Sequence, residues 1–209
     1  MKSCYIFGAA KGLPESFKRE DGSLIIAADA GYKHLKKMGI EPDVILGDFD
    51  SLGSVPEGKE IIKHPVEKDD TDTMLAVKVG LERGYSRFLI YGGTGNRLDH
   101  TLANLQTLCF VSERGGQAFL CGDGFIATAI TNGKITFNEN AKGTVSVFSA
   151  VTKAMGIDIK GLSYTTKDAT LKFDFPLGVS NEFTGKKAEI SVKEGTIIVI
   201  WQGNLEALL

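Results

Sequence analysis

The chain has 209 residues, of which 43% are hydrophobic and 24% are charged, and these proportions exclude an intrinsically disordered chain. Its 24 basic and 26 acidic side chains leave a formal net charge of −2. A chain with so little net charge has no general attraction for nucleic acid or for an anionic membrane, so we expect neither as a partner.

Residues 1–132 alternate strand-like apolar runs with helix-like segments. Short apolar runs bounded by turn residues are typical of strands buried on both faces, and they lie at Cys4–Phe7, Leu24–Ala28, Val44–Leu46, Phe88–Tyr91 and Ala118–Leu120. Apolar residues at helical spacing indicate helices at Tyr32–Met38, Thr71–Arg83 and Leu98–Ser112. In the last of these, the expected buried stripe is Leu98, Leu102, Leu105 and Leu108. This alternation predicts an α/β N-terminal domain with a mainly parallel sheet.

Residues 133–209 contain short alternating segments separated by turn residues, without a convincing helix. This pattern predicts an all-β antiparallel sandwich domain. The expected strands are Lys134–Phe137, Thr144–Phe148, Met155–Ile159, Leu162–Thr165, Thr170–Phe173, Ala188–Val192 and Thr196–Ile200. Just before this region, Gly122–Ala127 fits the dinucleotide-binding fingerprint, but the residues after it favour a strand over a helix. We therefore expect a turn there and no dinucleotide site.

Acidic and glycine-rich clusters follow several of the predicted parallel strands. Ligands of open parallel sheets bind beyond the carboxyl ends of the strands, so these clusters are expected to converge on one edge. The clusters are Asp29-Ala30-Gly31, Gly47-Asp48-Phe49-Asp50-Ser51, Lys68-Asp69-Asp70-Thr71-Asp72 at a helix start, and Gly92-Gly93-Thr94-Gly95-Asn96-Arg97-Leu98-Asp99-His100.

The chemistry of these clusters suits phosphate transfer. Carboxylates gathered at one edge would repel each other without a cation, and Mg²⁺ commonly binds one or two carboxylates together with waters and substrate phosphates. Lys68 and Arg97 supply positive charge for phosphate oxygens. Glycines such as Gly92 and Gly93 allow close backbone approach, and the following helix start favours an anion. Together these features predict phosphoryl-type transfer.

Each cluster also has a simpler structural explanation. Asp70 or Thr71 can cap the helix that follows, and the glycines can serve plain turns after strands. The run Gly47–Ser51 is harder to explain this way, because two acids around an aromatic are a poor choice for a turn. The joint occurrence of four clusters favours a site.

The three cysteines point to a reducing compartment. Cys4, Cys109 and Cys121 are odd in number and form no CxxC pair, which disfavours a zinc ribbon or a thioredoxin-type site. They are expected to be small buried residues with free thiols. The apolar start of the chain is too short for a signal peptide, and no apolar run approaches the ~20 residues of a membrane span. We expect a cytoplasmic protein.

In their order along the chain, these motifs resemble the thiamine pyrophosphokinase family, in particular its bacterial form. The resemblance covers nearly the whole length and includes Ala28–Gly31, Pro42-Asp43, Gly47–Ser51, Lys68–Asp72 and Gly92–His100, followed by Gly161-Leu162-Ser163-Tyr164 and Gly178-Val179-Ser180-Asn181-Glu182-Phe183. One position departs from the family pattern. The family commonly has two glycines after the first aspartate, whereas Ala30 precedes Gly31 here.

The resemblance implies a catalytic α/β domain over residues 1–132 and a β-sandwich over residues 133–209 that completes the thiamine site. It implies a homodimer with active sites between the subunits. The implied reaction transfers pyrophosphate from ATP to the hydroxyl group of thiamine, giving thiamine diphosphate and AMP, with Mg²⁺ bound.

The resemblance also implies roles for individual residues. The metal ligands would be Asp48, Asp50 and Asp72, with Asp29 nearby. The ATP-binding residues would be Asp29, Gly31, Lys68, Thr71, Gly92, Gly93 and Arg97. Asp99 would orient Arg97 or bind on the thiamine side, and Ser180 and Asn181 would contact the thiamine pyrimidine. The residues closest to the chemistry would be Asp72, Arg97 and Asp99.

Two other functions fit the same motifs. One is a different Mg²⁺-dependent nucleotide phosphohydrolase, which would release phosphate or pyrophosphate without thiamine. The other is a non-enzymatic sensor of a nucleotide or a thiamine phosphate, which would bind its ligand without forming a product.

Overall fold

A computed structural model describes residues 2–14, 16–47, 60–63, 69–95 and 97–209. The chain forms two compact units. The first comprises Met1–Thr107 with Ala118–Asp123, and the second comprises Leu108–Gln117 with Gly124–Leu209. In the described ranges, no helix is both long enough and apolar enough to cross a membrane.

The first unit is built on a mainly parallel sheet, as the apolar runs predicted. Its strands are β1 (Ser3–Phe7), β2 (Leu24–Ala28), β3 (Val44–Gly47), β4 (Ile61–Lys63), β5 (Arg87–Tyr91) and β6 (Gln117–Cys121). They lie in the order β6-β5-β1-β2-β3-β4. β1 pairs in parallel with β2 and β5, and β3 pairs in parallel with β2 and β4. All residues of β1, β2 and β3 are buried, which explains why these strands are apolar with the exception of Ser3.

Three helices accompany this sheet in the sequence: α1 (Gly31–Lys37), α2 (Asp72–Glu82) and α3 (Leu98–Ser112). Thr71 is the N-cap of α2, and its side chain accepts a hydrogen bond from the backbone N–H of Met74 at 3.2 Å. The capping explanation is therefore confirmed for Thr71. α1 carries His34, Lys36 and Lys37 in its last turn, where positive charge interacts favourably with the helix dipole.

The buried stripe predicted for α3 is wrong at its first two positions. Leu98 is 78% exposed and Leu102 is 57% exposed. A leucine is not obliged to be buried, so leucine spacing alone can select the wrong face of a helix. The residues that α3 buries are Asn104, Thr107, Leu108 and Val111.

The second unit is an antiparallel β-sandwich. Its strands are β7 (Phe125–Thr131), β8 (Lys134–Phe137), β9 (Thr144–Ser149), β10 (Lys153–Lys160), β11 (Thr166–Lys172), β12 (Gly178–Glu182), β13 (Ala188–Ser191) and β14 (Thr196–Gln202). They follow the orders β12-β9-β14-β7 and β11-β10-β13-β8, with antiparallel pairing. The rings of Phe137 on β8 and Trp201 on β14 pack edge to face at 5.3 Å, in the core between the two layers.

One predicted strand of the second unit is absent from the described structure, and one observed strand was not predicted. The segment Leu162–Thr165 is not a strand, and its pairing is limited to one bridge between Leu162 and Phe183. β12 was not predicted, because its sequence GVSNE is polar and mostly exposed. The turn predicted at Gly122–Ala127 is confirmed, since strand β7 and not a helix follows the glycines. A dinucleotide would need the helix N-terminus that is missing there.

Burial keeps the three cysteine thiols protonated. The three cysteines are free, and Cys4 and Cys121 are buried while Cys109 is partly exposed. Burial raises the pKa of Cys4 and of Cys121 to about 12, and that of Cys109 to about 11. Thiols with such pKa values stay protonated at neutral pH and are poor nucleophiles.

Candidate active site

A cavity of about 550 Å³ lies in the first unit, beyond the carboxyl ends of β1, β2 and β5. Its walls are the loops that follow these strands and the first turns of α2 and α3. Six of the predicted site residues line it: Asp29, Thr71, Asp72, Gly92, Gly93 and Arg97. Clusters that are far apart in the sequence therefore do meet at one sheet edge, as parallel strands require.

Two glycine-containing loops run side by side along one wall of the cavity. After β1, the N–H of Gly8 donates to the carbonyl of Tyr91 at 2.8 Å, and the N–H of Ala10 donates to that of Gly92 at 2.9 Å. Gly92 has φ +64°, and a Cβ there would lie 2.5 Å from the carbonyl oxygen of Gly8. Only glycine permits this backbone approach at position 92.

Two polar side chains form hydrogen bonds with backbone carbonyls of these loops. Asn104 of α3 is buried, and its amide nitrogen donates to the carbonyl of Gly93 at 2.6 Å. Nε2 of His34 on α1 lies 3.0 Å from the carbonyl oxygen of Ala9, so this ring nitrogen donates the hydrogen. Sequence reasoning missed both residues. For Asn104, the only available signal was a polar residue within an apolar helix.

Asp29 sits at the sharp turn from β2 into α1. Its φ of +48° is left-handed, a conformation that aspartate tolerates better than most residues. Its backbone N–H donates to the carbonyl of Leu46 at 2.8 Å. Ala30 has φ −63° and ψ −5°, which suit any L-residue, so alanine is compatible with this position of the motif. Gly31 does not line the cavity; it packs against the end of β1 at Phe7.

The start of α2 brings a hydroxyl and a carboxylate to the cavity. Thr71 and Asp72 both line it, and Asp72 is the acidic residue of the first helical turn. An acid in that turn is stabilised by the helix dipole. Asp70 is engaged elsewhere, because its carboxylate pairs with the ammonium of Lys78 at 2.6 Å. Of these two aspartates, Asp72 lines the cavity and Asp70 does not.

Arg97 lies at the start of α3 and is held by Asp99. Its Nε donates to the two carboxylate oxygens at 2.9 and 3.2 Å, and its Nη2 donates to Oδ2 at 2.6 Å. Arg97 lines the cavity, whereas Asp99 does not. The guanidinium is the main reason that the pKa of Asp99 is lowered to about 2, and the carboxylate in turn raises the pKa of Arg97. Asp99 therefore stays ionised and bound to Arg97 at neutral pH.

Two carboxylates, those of Asp29 and Asp72, line the same cavity and provide the oxygen donors that Mg²⁺ takes. The predicted ligands Asp48 and Asp50 and the predicted phosphate-binding Lys68 lie outside the described residues. Within the part of the chain that is described, no three histidine, cysteine or acidic side chains cluster closely enough to hold a metal.

The predicted thiamine-binding residues Ser180 and Asn181 lie on β12 of the second unit. Ser180 is exposed and has φ +59°, an uncommon conformation for a residue other than glycine. Asn181 is buried; its side-chain oxygen accepts from the N–H groups of Tyr164 and Glu182, both at 2.9 Å. Its amide nitrogen donates to the carbonyl of Tyr164 at 2.7 Å. Asn181 thus fixes the turn at Tyr164.

The second unit also exposes a series of large apolar side chains. We call Phe173, Phe175, Leu177 and Val179 the apolar ridge; they are 75%, 61%, 63% and 46% exposed. Tyr164, the residue fixed by Asn181, is 74% exposed. Exposed apolar groups at this density commonly mark an interaction surface.

Comparison with known proteins finds similarity to the same family in both halves of the chain. A family model described as thiamin pyrophosphokinase, catalytic domain, matches residues 18–120, and one described as thiamin pyrophosphokinase, vitamin B1 binding domain, matches residues 133–197. The thiamine pyrophosphokinase of Bacillus subtilis is 28% identical over 190 residues, which are 87% of this chain and 88% of that one. A thiamin pyrophosphokinase of Caenorhabditis elegans is 24% identical over 80% of this chain and 74% of that one.

Solved structures share the fold over almost the full length. A Bacillus subtilis thiamine pyrophosphokinase structure matches with a TM-score of 0.83 and 24% identity, covering 98% of this chain and all of that one. A thiamin pyrophosphokinase family protein from Enterococcus faecalis matches with a TM-score of 0.80 and 26% identity at the same coverage.

Proposed function

The chain belongs to the thiamine pyrophosphokinase family and is an enzyme that transfers pyrophosphate from ATP to thiamine; from this premise we propose that the cavity of the first unit is its active site. The observation that carries the proposal is the meeting of Asp29, Asp72 and Arg97 with the glycine loop in one cavity. Carboxylates for a cation and a guanidinium for phosphate oxygens are the groups that this reaction needs.

In the reaction, the hydroxyl oxygen of thiamine forms a bond to the β-phosphorus of ATP. The bond from the β-phosphorus to the oxygen that bridges it to the α-phosphate breaks, AMP leaves with that oxygen, and the hydroxyl proton is released. The protein's task is to position the two substrates and to stabilise the charge on the phosphoryl oxygens.

Arg97 is suited to this task by the way Asp99 holds it. The bonds to Asp99 use Nε and Nη2 and leave both N–H groups of Nη1 without a partner among the described residues. The guanidinium therefore has a fixed plane and still has donors for phosphate. A carboxyl with a pKa of about 2 is a weak base, and catalytic bases work best with a pKa near the working pH. We therefore assign Asp99 a positioning role and not that of a general base.

The remaining groups would bind ATP and magnesium. Asp48, Asp50 and Asp72 would hold Mg²⁺, with Asp29 nearby, and the ion would neutralise charge on the phosphate oxygens. Lys68 and Thr71 would contact phosphates, although the hydroxyl of Thr71 also caps α2. Gly92 and Gly93 would let the phosphates approach the backbone, and Gly31 would hold the turn that carries Asp29. Nothing in the described residues favours a hydrolase or a sensor over this function.

The direct test is incubation of the purified protein with ATP, Mg²⁺ and thiamine, scored by chromatography. We expect AMP and thiamine diphosphate to appear in equal amounts and to depend on all three components. AMP formation that is the same without thiamine would indicate a phosphohydrolase. Ligand binding without any product would indicate a sensor. Either result would overturn the proposed function.

Replacing Asp99 with asparagine should reduce kcat/KM by about tenfold or more, because a displaced guanidinium no longer meets the phosphates. The pair is exposed, so thermal stability should hardly change. Asp123→Asn, at another exposed position outside the cavity, is the matched control. Steady-state kinetics and thermal melting on both variants check the prediction. Wild-type kcat/KM in Asp99→Asn would contradict the positioning role.

For the second unit, we propose that residues 133–209 form the domain that completes the thiamine site, while residues 1–132 form the catalytic domain. Support comes from the match to a vitamin B1 binding domain over residues 133–197. Ser180 and Asn181 would meet the thiamine pyrimidine, with Asn181 also fixing the turn at Tyr164. Active sites at the interface of a homodimer would bury the apolar ridge, which is otherwise exposed to water.

Leu177→Lys should convert the dimer to a monomer and abolish turnover, because it places a charge in a surface that the second copy would cover. Leu209→Lys is the matched control, since Leu209 is 68% exposed and lies outside the apolar ridge, whereas Leu177 is 63% exposed. Analytical ultracentrifugation should give twice the chain's mass for the wild type and for Leu209→Lys. A wild-type monomer with full activity would refute the homodimer.

The working compartment is proposed to be the cytoplasm. All three cysteines are free, and two of them are buried. Free thiols persist in reducing compartments, whereas oxidising ones favour disulfides.

A further inference from the structure

Lys11 lies in the loop after β1 and lines the cavity, although no motif discussed above includes it. Its backbone is held beside the glycine loop after β5. It forms a single antiparallel bridge with Thr94, next to the hydrogen bond from the N–H of Ala10 to the carbonyl of Gly92. The glycine that follows, Gly12, has φ +85°, and its carbonyl accepts a hydrogen bond from the N–H of Gly92 at 3.5 Å. The position of Lys11 at the cavity wall is thus fixed by the fold.

The charges around the cavity single out Lys11. Asp29 and Asp72 contribute negative charge, and Arg97 and Lys11 contribute positive charge. Arg97 already forms a bidentate ion pair with Asp99. Lys11, in contrast, forms no ion pair with any residue in the described ranges. Its ammonium group is therefore available to an anion that enters the cavity.

The segment Gly8-Ala9-Ala10-Lys11-Gly12 has the make-up of a phosphate-binding loop without matching a known nucleotide motif. Residues 8–10 are small and line the cavity, so a ligand can approach their backbone closely. A lysine ammonium is a compact charge with three donors and is a common ligand of phosphate oxygens.

We propose that Lys11 binds the polyphosphate chain of ATP in this cavity. The inference rests on the proposed function, since it assumes that the cavity is the ATP site. It adds a residue from the loop after β1 to the proposed phosphate-binding set, which otherwise consists of Lys68, Thr71, Gly92, Gly93 and Arg97. Lys11 then selects for nucleotides with several phosphates and makes no contribution to binding thiamine.

The test compares Lys11→Ala, Lys11→Gln and Lys11→Arg with the wild type. Lys37→Ala, which removes an exposed lysine of α1 outside the cavity, is the matched control. For Lys11→Ala and Lys11→Gln we expect KM for ATP to rise about tenfold, the usual cost of losing one hydrogen bond to a charged group. KM for thiamine should stay within about twofold of the wild type, and Lys11→Arg should recover most of the affinity for ATP.

Titration calorimetry with Mg²⁺ and ATP, without thiamine, gives a readout that does not depend on turnover. Lys11→Ala should bind ATP about tenfold more weakly, with adenosine binding unchanged. Unaltered ATP affinity, or an equal loss for ATP and adenosine, would overturn the inference, because either result assigns Lys11 at most a structural role. If the wild type binds ATP tightly but forms no thiamine diphosphate, the proposed function is refuted. The same titration then still decides whether Lys11 binds ATP.

Discussion

Replacing Asp72 with asparagine is expected to reduce kcat by roughly 10²-fold or more, the scale of losing one charge-stabilising group at a phosphoryl-transfer site. Asp72 is the first residue of α2 and lines the cavity. Asparagine keeps its size but lacks the negative charge that a cation needs. Thr71 still caps the helix, so the free energy of unfolding should change by no more than about 1 kcal/mol, the usual value of an acid near a helix N-terminus.

Asp69→Asn is the matched control for this prediction. Asp69 belongs to the same acidic cluster and is exposed, but it does not line the cavity. Steady-state turnover, with thermal or urea unfolding of each variant, separates a catalytic loss from a structural one. If Asp72→Asn keeps wild-type turnover, or if Asp69→Asn loses as much activity, the site has been assigned to the wrong aspartate.

The sheet of the first unit and much of its site could be predicted because both depend on local sequence signals. Strands buried on both faces are predominantly apolar, so β2 was located to the residue at Leu24–Ala28. The carboxyl ends of parallel strands share an edge, which is why Asp29 and Arg97 were expected together and do line one cavity. Thr71 shows that one residue can both cap a helix and line the cavity.

What sequence reasoning missed depends on long-range contacts. The loop Gly8–Lys11 owes its place to backbone bonds with Tyr91 and Gly92, some eighty residues away, and small side chains carry no pattern that reveals such pairing. Asn104 has a role only because its amide reaches the carbonyl of Gly93. The buried face of α3 was predicted wrongly because Leu98 was counted as buried, whereas it is exposed. Single apolar residues at a protein surface are common, so leucine spacing alone does not identify the buried face.

At the turn from β2 into α1, Gly31 packs closely against the backbone at the end of β1. A Cβ on Gly31 would overlap the carbonyl oxygen of Phe7 and lie 2.5 Å from the carbonyl carbon. Both atoms belong to the backbone at the end of β1, so no side-chain rotation can relieve the overlap. Ala30, one residue earlier, is in ordinary right-handed backbone with its side chain accommodated. The two positions of the family's Gly-Gly pair are therefore not equivalent.

Gly31→Ala is accordingly expected to destabilise the protein by about 3 kcal/mol, the upper end of overpacking costs, because α1 or the end of β1 must move. That movement would also displace Asp29 and Gly8 at the cavity, so turnover should fall even at temperatures where the variant stays folded. Ala30→Gly is the control and should change stability by about 1 kcal/mol or less, since glycine is acceptable at an N-cap. Urea unfolding and initial rates at 25 °C measure both effects. Wild-type stability of Gly31→Ala would mean that the backbone at Phe7 yields easily and that position 31 does not require glycine.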